Sequence, residues 1–91
     1  MTRGTRHPGR VLEASGAPAA GALVAVEWSD VPVPEVALVA DADGGFVLFL
    51  PAGRFRIAAH ARGRRATVEV EAPREEDIEI VLPGSEDGAA S

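Results

Sequence analysis

At 91 residues the chain has room for one hydrophobic core and not two, and without a cysteine it has neither a disulfide nor a thiolate–metal staple to support that core. A formal charge of −5 argues against a phosphate-backbone binder, because affinity for nucleic acid comes from cations that neutralise phosphates. All nine basic residues are arginine, and the absence of lysine and asparagine rules out the side-chain isopeptide cross-links that stiffen some bacterial surface sandwiches.

The dominant hydrophobic period is two, interrupted about every eight to twelve residues by Gly, Pro or Asp clusters, which is the pattern of a sandwich or barrel. Residues 1–8 are expected to form a flexible N-terminal segment, and a first strand is expected over 9–14. Ser15-Gly16-Ala17-Pro18 turns the chain into a second strand over 22–28, with Val24, Val26 and Trp28 sharing one face. By that parity Trp28 is expected at the end of the core face. Residues 29–35 contain Pro32 and Pro34, each of which removes a ladder donor, and read as an extended connection crossing between sheets.

A third strand over 36–40 runs into Asp41-Ala42-Asp43-Gly44-Gly45, the strongest hairpin signal in the chain. The fourth strand, 46–50, ends at Pro51-Ala52-Gly53. The fifth, 54–61, alternates, with Phe55, Ile57 and Ala59 inward and Arg54, Arg56 and His60 outward. After a turn at Arg62-Gly63-Arg64, the sixth strand, 65–72, points Val68 and Val70 inward. The seventh places Ile78, Ile80 and Leu82 on the core face. No 3.6-residue apolar stripe exceeds one turn, so no helix is expected beyond a possible single turn over 74–77. The domain is therefore read as 9–82, with a disordered tail over 83–91. The expected core is Val24, Val26, Phe46, Leu48, Phe55, Ile57, Val68, Val70, Ile78, Ile80 and Leu82.

The order of these pieces resembles the carboxypeptidase regulatory-like domains of the transthyretin-like superfamily. Gly9-Arg10-Val11, Gly16-Ala17-Pro18 and Gly21-Ala22-Leu23-Val24-Ala25-Val26 match its opening; Asp41-Ala42-Asp43-Gly44-Gly45-Phe46-Val47-Leu48 matches its centre. Pro51-Ala52-Gly53-Arg54-Phe55-Arg56-Ile57 matches the family's next strand, with Phe55 at the usual tyrosine position, and Ile78-Glu79-Ile80-Val81-Leu82 matches its closing strand. The resemblance implies an all-β, seven-stranded, two-sheet Greek-key sandwich serving as a structural, docking or adhesive module. One enzymatic relative, the transthyretin-like hydroxyisourate hydrolases, is a poor match. Its catalytic histidine falls on Arg10, which stays cationic near neutral pH, and its terminal Tyr-Arg-Gly-Ser is missing from a chain with no tyrosine.

The remaining candidates for chemistry are sparse. Asp41 and Asp43 offer two carboxylates, whereas calcium takes six to eight oxygens, so these residues read as a turn. His7 and His60 have no cysteine and no second histidine at ligand spacing, so no zinc site is expected. No cofactor, metal or catalytic set is expected. Arg54, Arg56, Arg62, Arg64 and Arg65 form a basic patch, read as pairing with Glu69, Glu71 and Glu79 across strands.

The least ordinary feature is the third and fourth strands, which are apolar on both faces. With Phe46, Leu48 and Leu50 inward, Val47 and Phe49 must face away, where a sandwich normally carries polar side chains. Leu38, Val47 and Phe49 are therefore the expected contact residues for a protein partner or for self-association. The alternatives are a carbohydrate-binding accessory module, for which Trp28 is the one available aromatic, and a diverged hydrolase. No apolar run approaches the roughly 20 residues of a membrane span, and Met1 to Gly9 has charge but no apolar h-region of a signal peptide. As written, the chain is expected in the cytoplasm, or outside the cell if it is a domain of a longer exported protein.

Overall fold

The computed structural model describes residues 4–33 and 37–84. These form seven strands: β1 (Thr5–Leu12), β2 (Leu23–Ser29), β3 (Ala37–Val39), β4 (Gly45–Leu50), β5 (Gly53–Ala61), β6 (Arg64–Ala72) and β7 (Ile78–Val81). A three-stranded sheet in the order β4-β1-β7 packs on a four-stranded sheet in the order β3-β2-β5-β6. The described residues contain no helix, and within 74–77 only 75 and 76 bend. There the Arg74 guanidinium donates instead to the Glu76 carbonyl at 2.9 Å.

The tightest local unit is the β5–β6 hairpin. Arg62 and Gly63 both take positive φ, 54° and 78°, as a two-residue type I′ turn requires. That turn matches the right-handed twist of its flanking strands, and the ladder runs from Ala61↔Arg64 to Gly53↔Ala72.

β1 divides its pairing. Its first six positions, Thr5 to Arg10, run antiparallel to β4, and Gly9 to Leu12 run parallel to β7. Pro8 fits inside this strand because the Val11 N–H donates towards β4, to Gly44 at 2.8 Å. Strand alternation turns position 8 the other way, where β7 pairing begins only at Gly9. The missing donor therefore removes no ladder bond.

The core lies between the sheets. Of the expected residues, Val24, Phe46, Leu48, Phe55, Ile57, Val70, Ile78, Ile80 and Leu82 are buried, and Val26 and Val68 are only half-buried at its margin. Val11, Leu50 and the alanines 19, 22, 40, 59 and 72 complete it. Each large side chain buried in this way contributes about 1.5–3 kcal/mol.

Several expectations are corrected. The Asp41–Gly45 segment is a turn, closed by Gly44 N–H to Asp41 O and Asp41 N–H to Gly45 O, each 2.9 Å. It is not a hairpin, because β3 pairs with β2 and β4 pairs with β1 in the opposite sheet. Conversely, the proline-rich connection does not cross between sheets: it joins β2 to β3, which are neighbours in one sheet. Its residues 34–36 lie outside the described residues. β1 opens at Thr5 rather than at 9, and His7, expected in a frayed end, is 3% exposed. The His7 Nδ1–H donates to the Thr5 carbonyl at 2.8 Å. The expected disordered tail falls almost wholly outside the described residues; Pro83 and Gly84 are exposed and not in a strand.

Candidate docking surface

β4 reads Gly-Phe-Val-Leu-Phe-Leu, apolar at both parities and free of charge. Phe46, Leu48 and Leu50 enter the core, and Phe49, on the opposite face, is 65% exposed. Val47 is half-buried on the same side. Their cross-strand neighbours on β1 are Arg6, opposite Phe49, and Pro8, opposite Val47. β4 is an edge of its sheet and β3 is an edge of the other. Leu38 of β3 packs half-buried against the core, while Val39 beside it is 65% exposed.

The two edge strands border an apolar groove of about 740 Å³ between the sheets. Its walls include Val26 of β2, Val31 and Val33 of the β2–β3 connection, Leu38 of β3, and Val47 and Phe49 of β4. A shallower hollow of about 450 Å³ shares Leu38 and Val47 and extends past Val39 to Arg10, Asp41 and Asp77. All three expected contact residues therefore lie on one surface. Sequence reasoning places Val26 in the core and misses Val31 and Val33 as groove walls, because a 29–35 connection that crosses between sheets would not wall this groove. Val39 is legible as the other face of an all-apolar strand.

The other candidates are positioned differently from expectation or are occupied by the fold. Trp28 is 48% exposed, not buried. The ladder slips between Val26, opposite Ile57, and Trp28, opposite Arg56. A β-bulge of this kind puts one extra residue into the strand and reverses the facing of everything after it. Trp28 thereby joins the outer face, beside a hollow of about 350 Å³ flanked by Arg54, Arg56, Glu69 and Glu71.

In the arginine cluster, Arg56 pairs with Glu69 at 3.0 Å as the register implies. Arg64 instead reaches Glu13 at 3.1 Å, and Arg65 pairs with Glu27, so these two partners come from the β1–β2 side. One Asp41 carboxylate oxygen, Oδ1, accepts the N–H groups of Asp43 and Gly45 at 2.8 Å each, so it braces the turn. Two serines also serve local backbone: Ser29 Oγ donates to the Val31 carbonyl at 2.6 Å, and Ser15 Oγ accepts from the Ala17 N–H. Among the described residues no three His, Asp or Glu side chains gather into a possible metal cluster. No described helix is long and apolar enough to cross a membrane.

A two-sheet sandwich with two charge-free edge strands, β3 and β4, beside an apolar groove defines a β-sandwich module. The model of the carboxypeptidase regulatory-like domain matches residues 8–83, and the chain belongs to that family. No curated protein matches the chain.

Proposed function

We propose that this domain is a non-catalytic docking module whose protein-binding surface is the β3–β4 side, with Leu38, Val47 and Phe49 at its centre. The observation that carries the reading is Phe49. This residue is 65% exposed on a charge-free edge strand that walls an apolar groove. Exposing such a side chain forgoes about 1.5–3 kcal/mol of burial, and an uncharged edge is an aggregation hazard unless something covers it. Arg10, at the position where the related hydrolases carry histidine, is exposed on β1 opposite Glu79 and has no base chemistry to offer. Replacing Phe49 with Glu is expected to leave the domain folded and to abolish association, read by size-exclusion chromatography and by capture of partners. Unfolding of Phe49→Glu would show the ring to be core. A folded variant that binds everything the wild type binds would reduce the patch to bare surface.

A second reading rests on Trp28. An exposed indole beside paired guanidinium and carboxylate groups is the composition of a sugar platform, where the ring stacks on the pyranose face and the charged groups bond hydroxyls. Trp28 is the chain's only tryptophan, so its fluorescence reports directly. A saturable shift on titration with oligosaccharides, lost in Arg56→Ala, supports this reading; an unchanged spectrum across a glycan panel removes it.

A further inference from the structure

Four strands form the edges of the two sheets, and three of them are guarded. β6 carries Arg65, Glu69 and Glu71 outward, β7 is four residues long with Glu79 in it, and β3 is only three residues long. Charge and shortness are the usual means of keeping a sheet edge from pairing. β4 has six residues and neither protection.

The backbone shows how much of that edge is available. Gly45 turns its N–H and C=O away from β1: the N–H goes to Asp41 Oδ1 at 2.8 Å, and the C=O accepts the Asp41 N–H at 2.9 Å. In an antiparallel ladder this direction repeats every second residue. The N–H and C=O of Val47 and Phe49 therefore point to the free edge, where they have no backbone partner among the described residues. The next position in that series is Pro51, which has no donor. The open edge is thus a two-residue ladder site, closed at one end by the Asp41 turn and at the other by proline.

We propose that this site takes an extended peptide segment by strand addition to β4, with alternate apolar side chains of the guest entering the groove between the sheets; the proposal rests on the docking reading of the same surface. The N–H and C=O groups of Val47 and Phe49 supply the guest's hydrogen bonds, as in β-augmentation generally. Guest residues facing inward meet Leu38, Val26 and Val33 in the groove, and those facing outward lie beside Phe49. A second copy of the chain is a poorer occupant. Pairing β4 to β4 would present Phe46, Leu48 and Leu50, which are already buried in their own core and have nothing to place in the groove.

The test is selection of random nonapeptides displayed on phage against the 91-residue domain, and then titration of the selected peptides as synthetic molecules. Two perturbations remove edge hydrogen bonds. Val47→Pro deletes a donor that has no described backbone partner, so the variant is expected to fold. N-methylation of every second guest amide blocks the peptide side and needs no change to the domain. Enriched sequences should alternate apolar residues, and either perturbation should weaken binding at least about tenfold, the scale of one or two lost hydrogen bonds. Failure to enrich any peptide, or binding indifferent to both perturbations, overturns the proposal. So does a wild-type dimer that Val47→Pro converts to monomer, since a second copy would then own the edge. If Phe49→Glu abolishes binding while both backbone perturbations leave it intact, docking stands and strand addition falls; indifference to all three removes both.

Discussion

On the β5–β6 hairpin the large apolar residues Phe55, Ile57, Val68 and Val70 all point between the sheets, and the outward positions carry Arg54, Arg56, Arg65, Thr67, Glu69 and Glu71. On β4, in the same small sandwich, Val47 and Phe49 point outward and no charge appears. The hairpin closes on itself through a two-residue turn, whereas β3 and β4, adjacent in sequence, separate into different sheets. The hairpin is thus a locally complete unit, protected by charge at its open edge. The β3–β4 side leaves an apolar strand and a groove facing water. Within one domain, period-two alternation lets a strand bury its apolar side chains on one face, and its failure leaves some of them facing water.

Truncating the same side chain in each region should give the largest contrast between them. Phe55 is 1% exposed and Phe49 is 65% exposed. Phe55→Ala is expected to cost about 3–5 kcal/mol, a large part of the stability of so small a domain, in urea denaturation. Phe49→Ala under the same conditions should stay within about 0.5 kcal/mol of wild type. Similar costs at both positions would mean that the two faces do not differ.

The hairpin's self-sufficiency is tested at Gly63. Its φ is 78°, and an added Cβ would meet nothing within 4 Å, so Gly63→Ala isolates backbone strain from packing. The expected loss is about 1–2 kcal/mol in a thermal or urea melt, the cost of holding an L-residue in the left-handed region. No loss would mean that the turn relaxes to another type.

A smaller effect is expected from the charged outer face. Arg56 and Glu69 lie 3.0 Å apart with side chains 44% and 71% exposed. Arg56→Ala should therefore change stability by no more than about 1 kcal/mol, because water and salt screen the pair. Melting both proteins at low and high salt checks this, and a loss that persists at high salt would assign Arg56 a packing role instead. Phe49→Glu should have the smallest effect on stability, within about 0.5 kcal/mol, together with the largest effect on association. That pairing of outcomes separates contact surface from core.

Much of the fold is legible in the residues alone. The facing of Phe46, Leu48 and Leu50 against Val47 and Phe49, and of β5 residue by residue, comes from alternation, because successive side chains on a strand point to opposite sides. The candidate surface is legible for the same reason: an apolar strand at both parities has to show one set. Parity misplaces Trp28 because it is reliable only along an unbroken ladder, and the slip after Val26 reverses it. The groove is not legible, since its Val31 and Val33 wall comes from a connection whose path depends on which sheet receives β3.

Residue pattern alone is enough for the number of strands, for the apolar side of each unbroken one, and for the chain reversal at Asp41 to Gly45; it misses the start of β1 at Thr5 and the facing of Trp28 beyond the bulge. The legible features are local matters of side-chain alternation and turn stereochemistry. Which strands pair is settled at the level of the whole fold. The same Asp-Gly turn serves a hairpin or a change of sheet, and the choice rests on β1, about 40 residues upstream of β4's end, which takes β4 as its partner from Thr5↔Leu50 to Arg10↔Gly45. That pairing draws β4 away from β3, places both as edges and opens the groove between them. Non-local competition of this kind leaves no mark in a short window of residues, because the winning partner is set by the total area the two sheets bury together.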